Sequence, residues 1–184
     1  SWNVCLDKYS NKSRYQMEQT GMFTDLVLEK NLVIHRALEH EPDTMFIDVD
    51  TLILDQLFVD ETKQLGVSPQ FINDEEVKNT GYYNAGLIWT NQKDLPEKWK
   101  EFTKTSRYYE QASIEDLVKI YDTFEFGENY NLQTWRFRVG REDNVPHLTV
   151  KDDRILFKNQ PLKFFHTHFY RDDHKEQNHL FIEK

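Results

Sequence analysis

Residues 45–54 read Met-Phe-Ile-Asp-Val-Asp-Thr-Leu-Ile-Leu, so two carboxylates interrupt an otherwise apolar run. Side chains alternate faces along an extended strand, which puts Asp48 and Asp50 on one side, about 7 Å apart along the chain. Two carboxylates at the end of a buried strand cost free energy unless a positive charge meets them. A divalent cation that also carries a diphosphate would supply that charge, because Mg²⁺ and Mn²⁺ prefer oxygen ligands. The alternative is a pair of solvated aspartates at a strand-to-loop junction.

The segments before this run predict an α/β fold. Residues 25–40 have apolar residues at mostly helical spacing, and Pro42 ends that helix because the residue before a proline disfavours the α region. A strand over 44–48 follows directly. Helix, turn, strand and carboxylates in this order are typical of Rossmann-type domains, in which ligands lie beyond the carboxyl ends of the strands. We therefore expect one domain over residues 1–184, with a mixed sheet flanked by helices.

The rest of the chain predicts further short elements. Asn84-Ala85-Gly86 is turn-like and is followed by a strand to Thr90. Helices are expected over residues 94–108 and 110–121, and strands over 2–6, 67–72, 136–139, 154–157 and 162–166.

Composition excludes some partners. The formal net charge of −9 argues against nucleic acid or an anionic membrane as the main partner. The single cysteine, Cys5, rules out an intrachain disulfide and fits a reducing compartment. There is neither an apolar run long enough to cross a bilayer nor a signal-peptide pattern, so we predict a cytoplasmic protein without a transmembrane segment.

Several later segments are typical of one family when they are taken in order with Asp48-Val49-Asp50. These are Tyr-Asn-Ala-Gly-Leu-Ile at 83–88, Glu-Gln-Ala-Ser-Ile at 110–114, Asn-Tyr-Asn at 129–131 and Phe-Phe-His at 164–166. Together they resemble a nucleotide-diphospho-sugar transferase of the glycosyltransferase A fold, with a D-x-D signature. The resemblance covers residues 25 to about 170. It implies transfer of a sugar from a nucleotide-diphospho-sugar donor to an acceptor, with Mn²⁺ or Mg²⁺ as cofactor.

The resemblance also implies binding roles for individual residues. Asp50 would bind the metal directly, Asp48 would bind the ribose of the donor or the metal, and His166 or His168 would complete the metal sphere. Residues implied to bind substrate are Asn84, Ala85, Gly86, Gln111 and Asn131, together with Asp48. Glycine permits close backbone approach to a ligand, and asparagine offers both a donor and an acceptor. A simple tight turn is the alternative for residues 84–86.

Three carboxylates are candidates for catalysis in this resemblance: Glu110, Glu115 and Asp116. In an inverting enzyme one of them would take the proton of the acceptor hydroxyl as general base. The alternative is that Glu115 and Asp116 belong to the solvated face of an amphipathic helix.

The chain departs from the family's pattern at both ends. Little sequence precedes Asp48, so the family's first nucleotide-binding strands look missing or shortened, and a second copy of the chain could complete that half in a homo-oligomer. After His166 there is no Gly and Lys-Pro clamp for the diphosphate, and Lys163 or Arg171 would have to supply that charge.

Two other functions compete with the transferase. One is a non-catalytic sugar- or nucleotide-binding remnant of the fold. The other is a phosphatase of the haloacid dehalogenase type, with Asp48 as nucleophile and Asp50 as acid and base, although Thr51 follows Asp50 without the residue that normally separates them. The donor, the stereochemical outcome and the acceptor (lipid, protein, saccharide or small molecule) all stay open.

Overall fold

The computed structural model describes residues 4–137 and 148–167. His168, Arg171 and the second half of the predicted strand over 136–139 lie outside these residues. The helices are α1 Val4–Tyr9, α2 Arg14–Gln19, α3 Met22–Leu38, α4 Asp74–Thr80, α5 Leu95–Thr103, α6 Tyr109–Ala112 and α7 Ile114–Leu117. The strands are β1 Thr44–Ile47, β2 Thr51–Ile53, β3 Leu65–Pro69, β4 Tyr83–Thr90, β5 Thr123–Glu125, β6 Leu132–Gln133, β7 Leu148–Lys151, β8 Arg154–Phe157, β9 Gln160–Pro161 and β10 Phe164–His166.

The main sheet has the strand order β1-β4-β3-β5. Strand β4 runs antiparallel to both of its neighbours, and β5 runs parallel to β3. A second sheet has the order β2-β10-β6, with one antiparallel and one parallel pairing. A third, antiparallel sheet joins β7, β8 and β9. The predicted α/β class with mixed sheets flanked by helices is confirmed.

The core lies between the main sheet and helices α3, α5 and α7. Every residue of β4 is buried, and its sequence is apolar over Leu87–Trp89, whereas Asn84 and Thr90 are buried polar residues. Ile34 on α3, Ile88 on β4 and Trp99 on α5 meet in one apolar cluster. Fully burying an aliphatic side chain of this size contributes about 1.5–3 kcal/mol, so this cluster fixes α3 and α5 against the sheet.

The structure corrects three predicted elements. The strand predicted over 2–6 is wrong for residues 4–6, which begin helix α1, because a short apolar run fits either element. The turn predicted over 84–86 is also wrong, since β4 continues through these residues. Its pairing with β3 is irregular there, because Val67 pairs with Ile88 and the next residue, Ser68, pairs with Asn84, which leaves the extra residues 85–87 on β4. Residues 136–137 belong to a 3₁₀ helix over Thr134–Phe137.

The helix predicted over 110–121 is divided. Helices α6 and α7 are separated at Ser113, which ends one and begins the other. The Ser113 hydroxyl donates to the backbone carbonyl of Glu110 at 2.7 Å, a local bond that competes with regular helical bonding. In the described residues, no helix combines the length and apolarity needed to cross a bilayer.

Trp99 links α5 to the start of α6. It is fully buried, and its indole Nε1 donates to the backbone carbonyl of Glu110 at 2.8 Å. We expect Trp99→Phe to lower the free energy of unfolding by about 2–3 kcal/mol, because it removes this bond and leaves a cavity. Urea denaturation would measure the loss. As a control, Lys98→Ala on the exposed face of α5 should change it by less than about 0.5 kcal/mol. An equally small effect of Trp99→Phe would contradict the proposed link.

Candidate active site

Two sheets meet at the turn that carries the aspartates. Strand β1 of the main sheet ends at Ile47 and β2 of the second sheet begins at Thr51, so Asp48 and Asp50 lie between them. The Asp48 N–H donates to the Gly86 carbonyl at 2.9 Å. On the other side, the Thr167 N–H and hydroxyl both donate to the Asp50 carbonyl, at 2.8 and 2.6 Å. The backbone of the turn is therefore held from both sheets.

His166, the last residue of β10, completes a compact group with these aspartates. Its Nε2 lies 3.0 Å from Asp50 Oδ1 and 3.9 Å from Asp48 Oδ2. One ligand atom from each residue can be chosen so that all three lie within 4.8 Å of one another, and His166 is only 3% exposed. Two carboxylates and an imidazole are a donor set that divalent metals accept. The three residues predicted to bind metal are thus brought together and could hold an ion.

Gly86 is required by the close packing of this group. A Cβ at Gly86 would lie 2.7 Å from Asp48 Oδ2 and 2.8 Å from His166 Cε1. Both distances are too short for real contacts, so any side chain there would push the two candidate ligands away. The sequence predicts that a ligand approaches the backbone closely at this glycine. In the structure, the side chains of Asp48 and His166 lie close to it.

The predicted substrate-binding residues form one hydrogen-bonded network beside this group. Asn84 Oδ1 accepts from the Gly86 N–H at 2.9 Å and from Asn131 Nδ2 at 3.0 Å. Gln111 Oε1 lies 3.4 Å from both Asn84 Nδ2 and the Ala85 nitrogen. The network fixes the direction of each amide, so their remaining donors and acceptors have defined positions.

Lys30 is a site residue that the sequence analysis missed. From α3, its Nζ reaches Glu110 Oε1 at 2.8 Å, Asp48 Oδ1 at 3.5 Å and the Ala85 carbonyl at 3.2 Å. Burial alone lowers the pKa of Lys30, but the charges of Asp48 and Glu110 outweigh it and raise that pKa above its ordinary value. Lys30 therefore bridges the candidate metal ligands to Glu110.

The three predicted catalytic carboxylates lie in different environments. Glu110 is buried, only 5% exposed, beside Lys30. Glu115 accepts two bonds from the Arg107 guanidinium, at 2.7 and 2.8 Å, and one from the Tyr82 N–H at 2.9 Å. Asp116 pairs with Lys119 at 2.6 Å on the surface. The sequence could have distinguished Glu110 from Glu115 and Asp116. The apolar residues Ile114 and Leu117 follow Glu110 at i+4 and i+7, which places Glu110 on their face of a helix, and both are fully buried.

A cleft of about 320 Å³ contains the predicted metal ligands and Glu110. Neither Glu115, Asp116 nor Asn131 lines it. Lys163, predicted as a phosphate ligand, does not line it either and lies 3.4 Å from Asp55. The lining residues are Arg14, Phe23, Val27, Lys30, Asp48, Asp50, Gln70, Thr80, Asn84, Ala85, Gly86, Tyr108, Tyr109, Glu110, Gln111, Gln133 and His166.

Comparison with known proteins gives similarity of structure only. No protein-family model matches the chain, and no curated protein matches it in sequence. Among solved structures, the galactosyltransferase LgtC in complex with donor and acceptor sugar analogues is similar, with a TM-score of 0.48 and 15% identity, over 80% of this chain and 63% of that one. An active-site mutant of LgtC gives a TM-score of 0.47 and 14% identity, over 81% and 65%. The chain thus spans less than two thirds of the length of LgtC, and a likeness of this degree says nothing about substrates.

Gly86→Ala tests the packing of the candidate metal ligands. We expect Mn²⁺ affinity, measured by isothermal titration calorimetry, to fall about 10- to 100-fold because the added methyl group displaces Asp48 and His166. Gly21→Asn is the control, since Gly21 has φ of +74° with no atom within 4 Å of an added Cβ, and asparagine tolerates that conformation. Unchanged Mn²⁺ affinity in Gly86→Ala would contradict the close approach described above.

Glu115 gives a prediction about pH. The hydrogen bonds from Arg107 outweigh partial burial and lower the pKa of Glu115. A carboxyl group with a lowered pKa in the folded state stabilises the fold above its unfolded pKa, about 4.3, and loses that effect as the pH falls through its folded pKa. We expect Glu115→Gln to lower the free energy of unfolding by about 1 kcal/mol at pH 7, and the difference from the parent to be smaller at pH 3.

Urea midpoints at the two pH values would measure this difference. Asp116→Asn serves as the control, because an exposed i,i+3 pair contributes less than about 0.5 kcal/mol. A difference between Glu115→Gln and the parent that is the same at both pH values would show that the pair with Arg107 does not act through charge.

Proposed function

We propose that this protein is a metal-dependent glycosyltransferase that moves a sugar from a nucleotide-diphospho-sugar to an acceptor. The observation that carries the proposal is the convergence of Asp48, Asp50 and His166 in the same cleft as the Lys30–Glu110 pair. A metal-binding group supplies charge for a diphosphate. A neighbouring carboxylate and amides supply partners for sugar hydroxyl groups.

The donor set favours Mn²⁺ as the physiological ion. Mg²⁺ prefers an all-oxygen environment and keeps most of its water, whereas Mn²⁺ accepts carboxylates together with an imidazole. Asp48, Asp50 and His166 would hold the ion. When bound, it would supply positive charge that stabilises the departing nucleoside diphosphate.

Glu110 and Lys30 are the groups of this chain that we place nearest the reacting sugar. In the transfer, the bond from the anomeric carbon to the phosphate oxygen breaks, and its electron pair leaves with the nucleoside diphosphate. The acceptor oxygen bonds to the anomeric carbon, and its proton passes to a carboxylate of the cleft or to the departing diphosphate. Of the three predicted catalytic carboxylates, Glu110 is the one that lines the cleft, and Lys30 fixes its orientation.

Asn84 and Gln111 would orient the sugar through their amide groups, with Asn131 holding Asn84 in place. Glu115 and Asp116 would then act structurally, since each is paired outside the cleft. The cytoplasmic location and the homo-oligomer predicted from the sequence stay predictions.

Asp50→Ala tests the metal role. We expect the parent to gain several degrees of thermal stability in Mn²⁺ plus one of the UDP-, GDP- or CDP-linked sugars, and to need both components, because binding to the folded state stabilises it. In Asp50→Ala this gain should disappear while the melting temperature without ligand changes little. Asp74→Asn, an exposed carboxylate in the first turn of α4, is the control and should keep the gain.

Other outcomes of the same measurements separate the alternatives. A gain in Asp50→Ala equal to that of the parent would show that the metal role is wrong. Nucleotide-sugar binding without any transfer to water or an acceptor would favour the non-catalytic remnant. Release of phosphate from an aryl phosphate, abolished by Asp48→Asn, would favour the phosphatase.

A further inference from the structure

One part of the cleft surface has no role in the proposed transfer. Phe23 from α3, Tyr108 and Tyr109 at the start of α6, and Arg14 from α2 all line the cleft. The Tyr109 ring packs edge to face on Phe23, with centroids 4.9 Å apart, and on Tyr108 at 5.0 Å. The Arg14 guanidinium lies over the Phe23 ring, 4.6 Å from its centroid. We call these four residues the aromatic wall.

The aromatic wall is held in a specific geometry. Tyr109 has φ of +42°, a left-handed conformation that is rare for a bulky residue. Its hydroxyl donates to Glu18 at 3.2 Å, and Glu18 in turn accepts from Arg14 Nε at 2.7 Å. Ser13 and Gln16 form a capping box that starts α2 beside Arg14. Strained residues that are held by their surroundings are concentrated at ligand-binding sites.

Contacts along the cleft give the order of its parts. His166 contacts Asp50, Asp48 contacts Lys30, and Lys30 contacts Glu110. Tyr109 precedes Glu110 in the chain, and Phe23 lies two turns before Lys30 on α3, about 10 Å along the helix axis. The aromatic wall is therefore at the Glu110 end, and the metal-binding group is at the other end.

This order assigns the wall to the acceptor. A donor with its diphosphate at Asp48, Asp50 and His166 would place the reacting carbon toward Lys30 and Glu110. The incoming molecule must also reach that carbon, and the cleft surface beyond Lys30 and Glu110 that the diphosphate would not occupy is the wall at Tyr109. The nucleoside, attached to the diphosphate, would extend away from the wall.

The chemistry of the wall favours a saccharide over a lipid. Tyrosine rings offer an apolar face together with a polar edge, which suits the C–H face and the hydroxyl groups of a sugar ring. Arg14 and Glu18 beside the rings, and Gln70 and Thr80 in the same cleft, provide hydrogen-bonding groups. We propose that the acceptor is a saccharide whose sugar ring packs on Tyr108 and Tyr109.

This proposal rests on the proposed function and is tested separately from it. Saturation-transfer NMR would measure binding of lactose, maltose, cellobiose and sucrose in the presence of Mn²⁺ and UDP, GDP or CDP. We expect at least one disaccharide to bind the parent. Tyr108→Leu and Tyr109→Asn should each weaken that binding about tenfold. Asparagine is chosen because it tolerates the left-handed conformation of Tyr109. Tyr15→Leu, a 70% exposed tyrosine on α2 outside the cleft, is the matched control and should bind as the parent does.

Each result decides one of the two proposals. Nucleotide binding without binding of any disaccharide would overturn the saccharide acceptor and leave the transferase standing. Nucleotide binding that falls in Tyr108→Leu and Tyr109→Asn would assign the wall to the nucleoside and overturn this proposal. Disaccharide binding that needs both tyrosines but occurs in a protein without any nucleotide affinity would overturn the transferase and keep the wall as a sugar site.

Discussion

The site depends on the turn from Asp48 to Asp50, because the backbone hydrogen bonds of this turn join the main sheet to the second sheet. Its first residue is bonded to β4 through Gly86, and its last is bonded to the residue after β10 through Thr167. Neither sheet alone holds all three candidate metal ligands. The position of His166 relative to the aspartates is therefore set by how the two sheets are joined.

Electrostatics explains why the carboxylates tolerate one another in this cleft. Asp48, Asp50 and Glu110 bring negative charge to a partly enclosed space, and Lys30 lies between two of them. A buried ion pair is weak evidence for stability, but removing one partner leaves an uncompensated charge. The arrangement is better explained by the ligand that it suits than by the stability that it adds.

The parts of the fold that the sequence predicted are those with long or distinctive patterns. Helix α3 was found from its helical spacing, β1 from its apolar run before the aspartates, and the region of β8 from a short apolar run. Helix α1 was missed because five residues cannot distinguish a strand from a helix. The division of residues 110–121 was missed because nothing in the apolar spacing marks a break at Ser113.

The sequence predicted some residues of the site and missed others, because their contacts join distant parts of the chain. His166 could be linked to Asp48 and Asp50 only through the order of family-like motifs, since their contact is between distant parts of the chain. Lys30 was missed because a lysine on a helix normally points to water, and nothing local shows that the carboxylates lie on its own face.

Ligands drawn from two sheets make the candidate metal centre a cross-link as well as a chemical site. Its candidate ligands lie on the turn between β1 and β2 and at the end of β10, so a bound cation would oppose separation of the sheets. Local opening of the junction would then require release of the ion. The supply of metal would thus set the fraction of molecules in which this junction is closed.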